Sequence, residues 1–263
     1  MDTNHLPDRA SARDYPLDEI AAHIGEERRT VSVLGEIREL VFGAQDGLVS
    51  TLAVVATVAG ATTDNLAVLV AGFASAMAGI FSMAIGEYMG SKSQAEIERG
   101  HLARERHEVE VRPHEAEAEV AYLFMQEGMD SETAWQTAEV IARYPESLLA
   151  TMAAKELGLA SDGQADAAGT PLRGALVMGG AFAAGSVPPI APFLFTEGLL
   201  ALSLATLSTG LVLFTIGVVK SRWTDRSWLW SGLEILALAA VAGVAGYLFG
   251  SVLPTLLGFA GVV

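Results

Sequence analysis

The stretch LVFGAQDGLVSTLAVVATVAGA, residues 40–61, decides the fold of this chain. It is mostly apolar, and Asp46 is the one charged residue in it. A helix needs about 20 predominantly apolar residues to cross the hydrocarbon core of a bilayer. The stretch is long enough to do so, and it therefore predicts a membrane-spanning helix that carries a carboxylate.

An ionisable side chain inside a membrane costs roughly 2.5–3.5 kcal/mol on insertion scales, which makes Asp46 a candidate for function. Its position alone leaves a second interpretation open, in which the carboxylate lies near the membrane edge and reaches water or a partner helix. Further polar residues at a similar depth, described below, favour a role in transport.

Four other stretches pass the same length test, at about 66–89, 172–195, 198–219 and 228–250. The chain of 263 residues is 51% hydrophobic and 18% charged, yet its net charge is −15, which suits apolar spans joined to an acidic soluble part. We predict an all-α integral membrane protein with five transmembrane helices and a cytosolic helical domain between the second and third. The expected divisions are a polar N-terminal tail, two spans, the soluble domain and three spans, at residues 1–35, 36–90, 91–170 and 171–263.

Composition also excludes several classes of function. The acidic balance argues against binding nucleic acid, which requires basic surface. The chain has no cysteine, so disulfides and thiolate metal sites are excluded. The first 35 residues are polar and acidic and do not resemble a secretory signal peptide; we expect a partly disordered tail with a short amphipathic stretch at about 17–24.

The distribution of Lys and Arg predicts the orientation in the membrane. With a cytoplasmic N-terminus, the outer segments are Thr62–Asn65, the turn near Phe195–Gly198 and the tail after Gly250, and none of them contains Lys or Arg. All 16 basic residues, Arg222 and Arg226 among them, are then cytoplasmic. The soluble domain is therefore expected in the cytosol and the C-terminus outside. The membrane itself is expected to be a bacterial-type inner membrane, although an acidic vacuole-like compartment also fits.

Polar residues on three of the predicted spans fall at a similar depth. Asp46 lies about two turns from the cytoplasmic end of the first span, and Met83 lies near the cytoplasmic end of the second. Glu87 follows Met83 on the same face, one turn nearer the cytosol, and Glu234 lies about two turns into the fifth span. Carboxylate oxygens suit Mn²⁺ and Fe²⁺, and a thioether favours later transition metals over Ca²⁺ or Mg²⁺. Lipid packing for Met83 and ordinary interfacial carboxylates remain alternatives.

Small residues recur at intervals of four in the spans, which lets helix backbones approach closely. The first span contains Gly43 and Gly47, and the fifth contains Ala242, Gly246 and Gly250. This spacing predicts a tight helix bundle and is compatible with a dimer. The frequency of Gly and Ala in membrane spans is the alternative explanation.

Breakers divide the soluble block, residues 91–170, into helices. The second span is expected to continue to about Val111, where Pro113 stops it. A second helix is predicted at about 114–127, a third after the N-cap Asp130, and a fourth from Pro145 to about Leu157. The block contains 16 Asp and Glu against 7 Lys and Arg.

Acidic residues share faces on these helices. Glu98, His101, Glu105 and Glu108 follow spacings of three and four, as do Glu115 and Glu119, while Met152 and Glu156 are one turn apart. A bundle of the helices could surround a divalent cation with carboxylates and one thioether, or these residues could form an ordinary solvated surface. Glu98 and His101 also have the spacing of a ferritin-like di-iron pair, but that site needs a second Glu-x-x-His, which the block lacks.

The chain resembles the vacuolar iron transporter family from about residue 34 onward. The most specific parts are RELVFGAQDGLVST, Arg38–Thr51, and FSMAIGEYMGSKSQ, Phe81–Gln94. Five spans with a cytosolic helical insert after the second also match. The resemblance implies a homodimer within the lipid that moves Fe²⁺, and often Mn²⁺, out of the cytosol in exchange for protons.

The resemblance also implies the sites. Asp46 and Met83 fall at the family's intramembrane metal positions, with Glu87 and Glu39 expected at the entrance. In the insert, the family's ligand positions correspond to Glu105, Glu108, Glu119, Met152 and Glu156. The chain departs from the pattern at Gln45, where Asn is commoner, and at Ala116, where another glutamate is expected; Glu115 is a possible substitute.

The resulting hypothesis is a proton-coupled transporter with no resident cofactor, in which Fe²⁺ or Mn²⁺ is bound and transported. Two alternatives belong to other classes. A membrane-anchored metal sensor or storage protein would bind metal in the insert but leave Asp46 without a role. An iron-oxidising enzyme is disfavoured by the missing second Glu-x-x-His.

Overall fold

The computed structural model describes residues 11–156, 158, 171–221 and 227–256. These residues form eight α-helices with short connections, and none of them lies in a β-strand. The helices are α1 (Leu17–Ala61), α2 (Asn65–Val111), α3 (Pro113–Gln126), α4 (Ser131–Ala142), α5 (Pro145–Glu156), α6 (Pro171–Ile190), α7 (Gly198–Lys220) and α8 (Trp228–Leu256).

Within the described residues, five segments are long and apolar enough to cross a membrane. They are Ile37–Ala61, Asn65–Val111, Pro171–Leu194, Gly198–Lys220 and Trp228–Val252. The predicted all-α fold with five spans is therefore confirmed. Which side of the membrane each connection faces stays a prediction.

The first helix begins earlier than the apolar pattern indicated. α1 starts at Leu17, so the polar segment before residue 37 and the first span form one continuous helix. Hydropathy marks only the part of a helix that meets lipid, and it does not mark the polar turns that continue it. The amphipathic stretch at 17–24 is thus the N-terminal end of α1 rather than a separate element.

The helix boundaries of the soluble block match the predicted breakers. Pro113 and Pro145 open α3 and α5, where a missing backbone N–H costs no hydrogen bond. Asp130 caps α4, since its Oδ1 accepts a hydrogen bond from the Thr133 backbone N–H at 3.1 Å. Hydrogen bonding with Thr133 also lowers the pKa of Asp130. These predictions are confirmed.

The chain divides into two compact units. Residues 88–172 form one, and the remaining described residues form the other, with α2 running through both. The larger unit buries Leu52, Val55 and Phe193 among other side chains. The smaller unit has its own apolar core, made by buried residues of α2, α3, α4 and α5: Val109, Ala116, Val120, Ala121, Ala138, Leu148, Leu149 and Met152.

The small residues Gly43 and Gly47 bring α1 against α6 within one chain. A Cβ atom on Gly43 would lie 2.6 Å from the carbonyl oxygen of Met178, and one on Gly47 would meet the backbone of Phe182. One turn further, Thr51 Oγ1 and Ser186 Oγ are 3.1 Å apart in a buried hydrogen bond. The predicted close packing is confirmed, and the GxxxG face of α1 is used inside the chain.

We expect Gly47→Ala to destabilise this unit. The added methyl group would collide with the α6 backbone, and overpacking of this kind costs about 1–3 kcal/mol. The matched control is Gly86→Ala on α2, where an added Cβ meets nothing within 4 Å. Thermal denaturation in detergent should show a lower Tm for the first variant alone. Equal melting temperatures would contradict the α1–α6 contact.

Some predictions fall outside the described residues. These include the cytoplasmic location of Arg222 and Arg226, the first ten residues of the tail, and the end of α5 at Leu157. The basic residues Arg173 and Lys220 are described, in the first turn of α6 and the last turn of α7.

Candidate functional site

The predicted acidic residues of the smaller unit come from three helices. Glu105 and Glu108 lie on α2, Glu115 and Glu119 on α3, and Glu156 on α5. One carboxylate oxygen each from Glu108, Glu115 and Glu119 lies within 4.8 Å of the others. The turn at Arg112, between α2 and α3, is what places residues 108 and 115 side by side. We call Glu105, Glu108, Glu115, Glu119 and Glu156 the acidic cluster.

Glu119 lies at the electrostatic centre of the acidic cluster. Its partial burial raises its pKa, and the negative charges of Glu156, Glu108, Glu115 and Glu105 raise it further. Burial and the charges of Glu105 and Glu108 likewise raise the pKa of Glu156. In both Glu119 and Glu156, burial and neighbouring negative charges thus disfavour the ionised form.

Glu105 has a buried atom that the surrounding protein does not satisfy. Its Oε2 is shielded from solvent and has no hydrogen-bond partner among the described residues. A buried carboxylate oxygen without a donor is costly, and a bound cation or an ordered water is the usual remedy. Glu105 is thus placed to contribute a ligand.

Arg112 neutralises part of the acidic cluster. Its guanidinium lies 2.8 Å from Oε1 of Glu108 and 2.8 Å from Oε2 of Glu115. This residue was not predicted from the sequence, because its pairing depends on the corner between two helices.

Ala116 and Met152 differ from the carboxylates of the acidic cluster because both are fully buried. Ala116 is fully buried in the apolar core, whereas Glu115 joins the acidic cluster. That Glu115 substitutes for the glutamate expected at 116 stays a prediction. Met152 is also fully buried, in the core that contains Ala116 and Val120, so any metal contact by its sulfur would come from the core side.

Glu98 and His101, the pair with ferritin-like spacing, are not among the three residues whose carboxylate oxygens converge. Glu98 Oε1 accepts a hydrogen bond from Gln94 Nε2 at 2.7 Å on an exposed face of α2. His114, the other histidine considered, lies 3.6 Å from Glu117 and is almost fully exposed. The geometry agrees with the sequence in disfavouring a di-iron oxidase centre.

The chemistry that the acidic cluster can perform is binding of a divalent cation. Carboxylate oxygens suit Mn²⁺, Fe²⁺, Mg²⁺ and Ca²⁺, and a cation between them would offset the burial and the repulsion that raise the pKa values of Glu119 and Glu156. Any ligands would come from three helices, so binding would also hold those helices together.

The raised pKa values predict how stability depends on pH. A carboxylate whose pKa is raised by folding binds its proton more tightly in the folded protein than in the unfolded chain. Its contribution to folding stability is therefore fully present below the ordinary pKa of 4.5. That contribution is lost as the pH rises through the raised pKa of Glu119 and of Glu156. We expect the Tm of the metal-free protein to fall over this range.

A double variant isolates this effect from other titrating groups. Glu119→Gln with Glu156→Gln removes both groups, so its Tm should fall less over the same pH range than that of the unchanged protein. Parallel curves for the two proteins, measured in chelator, would show that these carboxylates do not interact as described.

The membrane unit places Asp46 and Met83 at nearly one level. Gly43 of α1 lies against Met178 of α6, and a Cβ on the next residue of α6, Gly179, would lie 3.1 Å from Ala84 Cβ of α2. Asp46 follows Gly43 by three residues, and Met83 directly precedes Ala84. Because α6 contacts both helices at this height, and α2 runs antiparallel to α1 and α6, the two residues differ in depth by about one residue's rise, 1.5 Å.

Glu39 and Glu87 converge on α6. The position of a Cβ on Gly174 lies 3.3 Å from Glu87 Oε1 and 3.4 Å from Glu39 Oε2. Gly174 precedes Met178 by one turn, so this pair lies about one turn from the level of Gly43. The absence of a side chain at Gly174 leaves room for both carboxylates.

Glu234, the remaining carboxylate predicted at this depth, is exposed on α8. That it shares a layer with Asp46, Met83 and Glu87 stays a prediction.

A multi-pass helical membrane protein with converging carboxylates in a separate helical unit has the features of a metal-ion transporter. Residues 37–251 match the sequence profile of the VIT family, and the chain belongs to this family. This match covers most of the chain, including the candidate spans and the smaller unit.

Named relatives align over nearly the same extent. Vacuolar iron transporter 1 of Oryza sativa subsp. japonica is 28% identical over 244 residues, covering 92% of each chain. Vacuolar iron transporter of Centaurea cyanus is 28% identical over 80% of this chain and 85% of its own length. Vacuolar iron transporter of Plasmodium falciparum is 26% identical over 82% of each chain. The family and these names indicate a transporter rather than an enzyme, as predicted.

Proposed function

We propose that this chain transports Fe²⁺ or Mn²⁺ out of the cytosol in exchange for protons. The observation that carries the proposal is the set of three carboxylate oxygens, from Glu108, Glu115 and Glu119, within 4.8 Å of one another in a chain with five candidate spans. Membership of the VIT family and the iron transporters among its relatives support metal as the cargo.

The acidic cluster would collect the ion. Glu105, Glu108, Glu115, Glu119 and Glu156 supply oxygen ligands, and Met152 is a further candidate from the core side. With a net charge of −15, the protein also raises the concentration of cations near its surface. The same ligand set accepts Fe²⁺ and Mn²⁺, so both are proposed as substrates.

The path across the membrane would use Asp46 and Met83. Glu39 and Glu87, which converge on Gly174, would receive the ion at the entrance. A carboxylate at depth can hold either a proton or a metal ion, and alternation between the two would couple their movements. Lys and Arg distribution supports a cytosolic entrance and an external C-terminus.

We further propose that the working protein is a homodimer in a bacterial-type inner membrane. Only 17% of the most apolar window of α2 is buried within one chain, which leaves much of this helix for a second copy or for lipid. Relatives of this chain are named vacuolar iron transporters. The membrane of an acidic compartment is therefore the other location that fits the predicted orientation.

Transport into proteoliposomes tests the proposal against a sensor or storage protein. Purified protein is reconstituted with a lumen more acidic than the medium, and uptake of Mn²⁺, of Fe²⁺ under reducing conditions and of Ca²⁺ is measured with empty liposomes as control. Accumulation of Mn²⁺ and Fe²⁺ that disappears when the pH gradient is abolished is the expected result. Binding of metal by the protein without accumulation in the lumen would favour the sensor or storage function.

A further inference from the structure

Arg112 occupies the corner between two helices that supply the acidic cluster. It is the single residue between the end of α2 and Pro113 at the start of α3. Its backbone N–H donates to the Glu108 carbonyl at 2.7 Å, and its own carbonyl accepts from the Glu115 N–H at 3.0 Å. The backbone of Arg112 is therefore held by the same two residues that its side chain contacts.

The guanidinium of Arg112 bridges those two residues. It makes one 2.8 Å contact to a carboxylate on α2 and one to a carboxylate on α3, Glu108 and Glu115. Both belong to the three residues whose oxygens converge within 4.8 Å. A positive charge of the protein's own thus pairs with two of the three carboxylates that a divalent cation would use.

Arg112 and a metal ion cannot use these oxygens equally at the same time. Each oxygen that binds the guanidinium is less available to coordinate metal, and the two cations repel one another at such short range. The third carboxylate of the group, Glu119, is not paired with Arg112, so it remains available to receive a metal ion first.

The exposure of Arg112 indicates how it could leave. Its side chain is 56% exposed, so the guanidinium is already partly in water and can move away from the two carboxylates into it. Ion pairs with this exposure contribute little to stability. An incoming divalent cation could therefore replace the guanidinium at small cost.

We propose that Arg112 is a built-in competitor for the metal, which bridges Glu108 and Glu115 in the metal-free protein and is displaced when metal binds. This inference rests on the proposed function of the acidic cluster. Its consequence is an affinity weaker than the carboxylates alone would give. A transport protein benefits from such weakening, because an ion that is to be passed on must also be able to leave.

Mn²⁺ affinity of the full-length protein in detergent tests the proposal. Isothermal titration at fixed pH and ionic strength compares the unchanged protein, Arg112→Gln and Arg106→Gln. Arg106 is a matched control on α2, since it carries the same charge and is 3.9 Å from the exposed Glu146 instead of the acidic cluster. We expect Arg112→Gln to bind roughly two- to thirtyfold more tightly, the range for two partly exposed ion pairs that no longer need to be broken. Arg106→Gln should change the affinity by much less.

Several results would overturn the proposal, each in a different way. Weaker binding by Arg112→Gln would make Arg112 a clamp that organises the ligands, and an effect equal to that of Arg106→Gln would reduce it to general electrostatics. Absence of Mn²⁺ binding in all three proteins would remove the capture site itself and Arg112's role with it. Should Arg112→Gln not fold, Arg112→Lys, which keeps the charge but loses the two-pronged contact, should still bind more tightly than the unchanged protein, and failure to do so would also contradict the proposal.

Discussion

Replacing Asp46 with asparagine should abolish metal uptake into proteoliposomes while leaving the protein folded. The substitution keeps the size of the side chain but removes the negative charge that would balance a divalent cation within a membrane span. Leaving a charge unpaired in a low-dielectric site costs about 3–5 kcal/mol, which corresponds to more than a hundredfold in binding. Transport should therefore fall to the level of empty liposomes.

The control for this variant is Glu197→Gln. Glu197 is an exposed carboxylate that precedes α7, and its side chain makes no capping hydrogen bond there. Uptake by this variant should remain close to that of the unchanged protein. Unimpaired uptake by Asp46→Asn would remove Asp46 from the path and from coupling to protons.

Glu119→Gln should weaken Mn²⁺ binding by at least about tenfold, since loss of residues that merely support metal ligands already costs 10–100-fold. Glu119 is the residue on which the other four carboxylates of the acidic cluster act. The same variant should raise the Tm of the metal-free protein at neutral pH, because it removes a partly buried charge and its repulsion. Titration calorimetry and thermal denaturation measure the two effects on one sample.

Glu117→Gln provides the comparison on the same helix. Glu117 lies two residues before Glu119. Its Oε2 is 3.6 Å from Nδ1 of His114, and it is not part of the acidic cluster. It should alter neither Mn²⁺ affinity nor the effect of metal on the Tm. If the two glutamates behaved alike, metal binding would reflect the overall negative charge of α3 rather than a defined site.

The helices could be predicted from sequence because their ends have strong local causes. Pro113, Asp130 and Pro145 act on the backbone of the adjacent residues, and the structure begins or caps helices at all three. Apolar length likewise predicted the five spans. The start of α1 at Leu17 was missed, since a polar helical extension leaves no trace in hydropathy.

The partners of individual side chains were harder to predict. The spacing of Gly43 and Gly47 indicated close helix packing but not that α6, distant in sequence, would supply the contact. The spacing of Glu115 and Glu119 predicted a shared face, which the structure brings to Glu108. Arg112 escaped notice because its two ion pairs exist only once α2 and α3 meet at their corner.

The central claim, exchange of metal for protons, is tested most directly by proton movement under a metal gradient alone. Protein is reconstituted in liposomes with equal pH on both sides and a pH-sensitive dye in the lumen, and Mn²⁺ is then added outside. The expected result is Mn²⁺ accumulation accompanied by a rise in luminal pH, with both absent in Asp46→Asn. Mn²⁺ accumulation at constant luminal pH would contradict the exchange, and binding without accumulation would contradict transport itself.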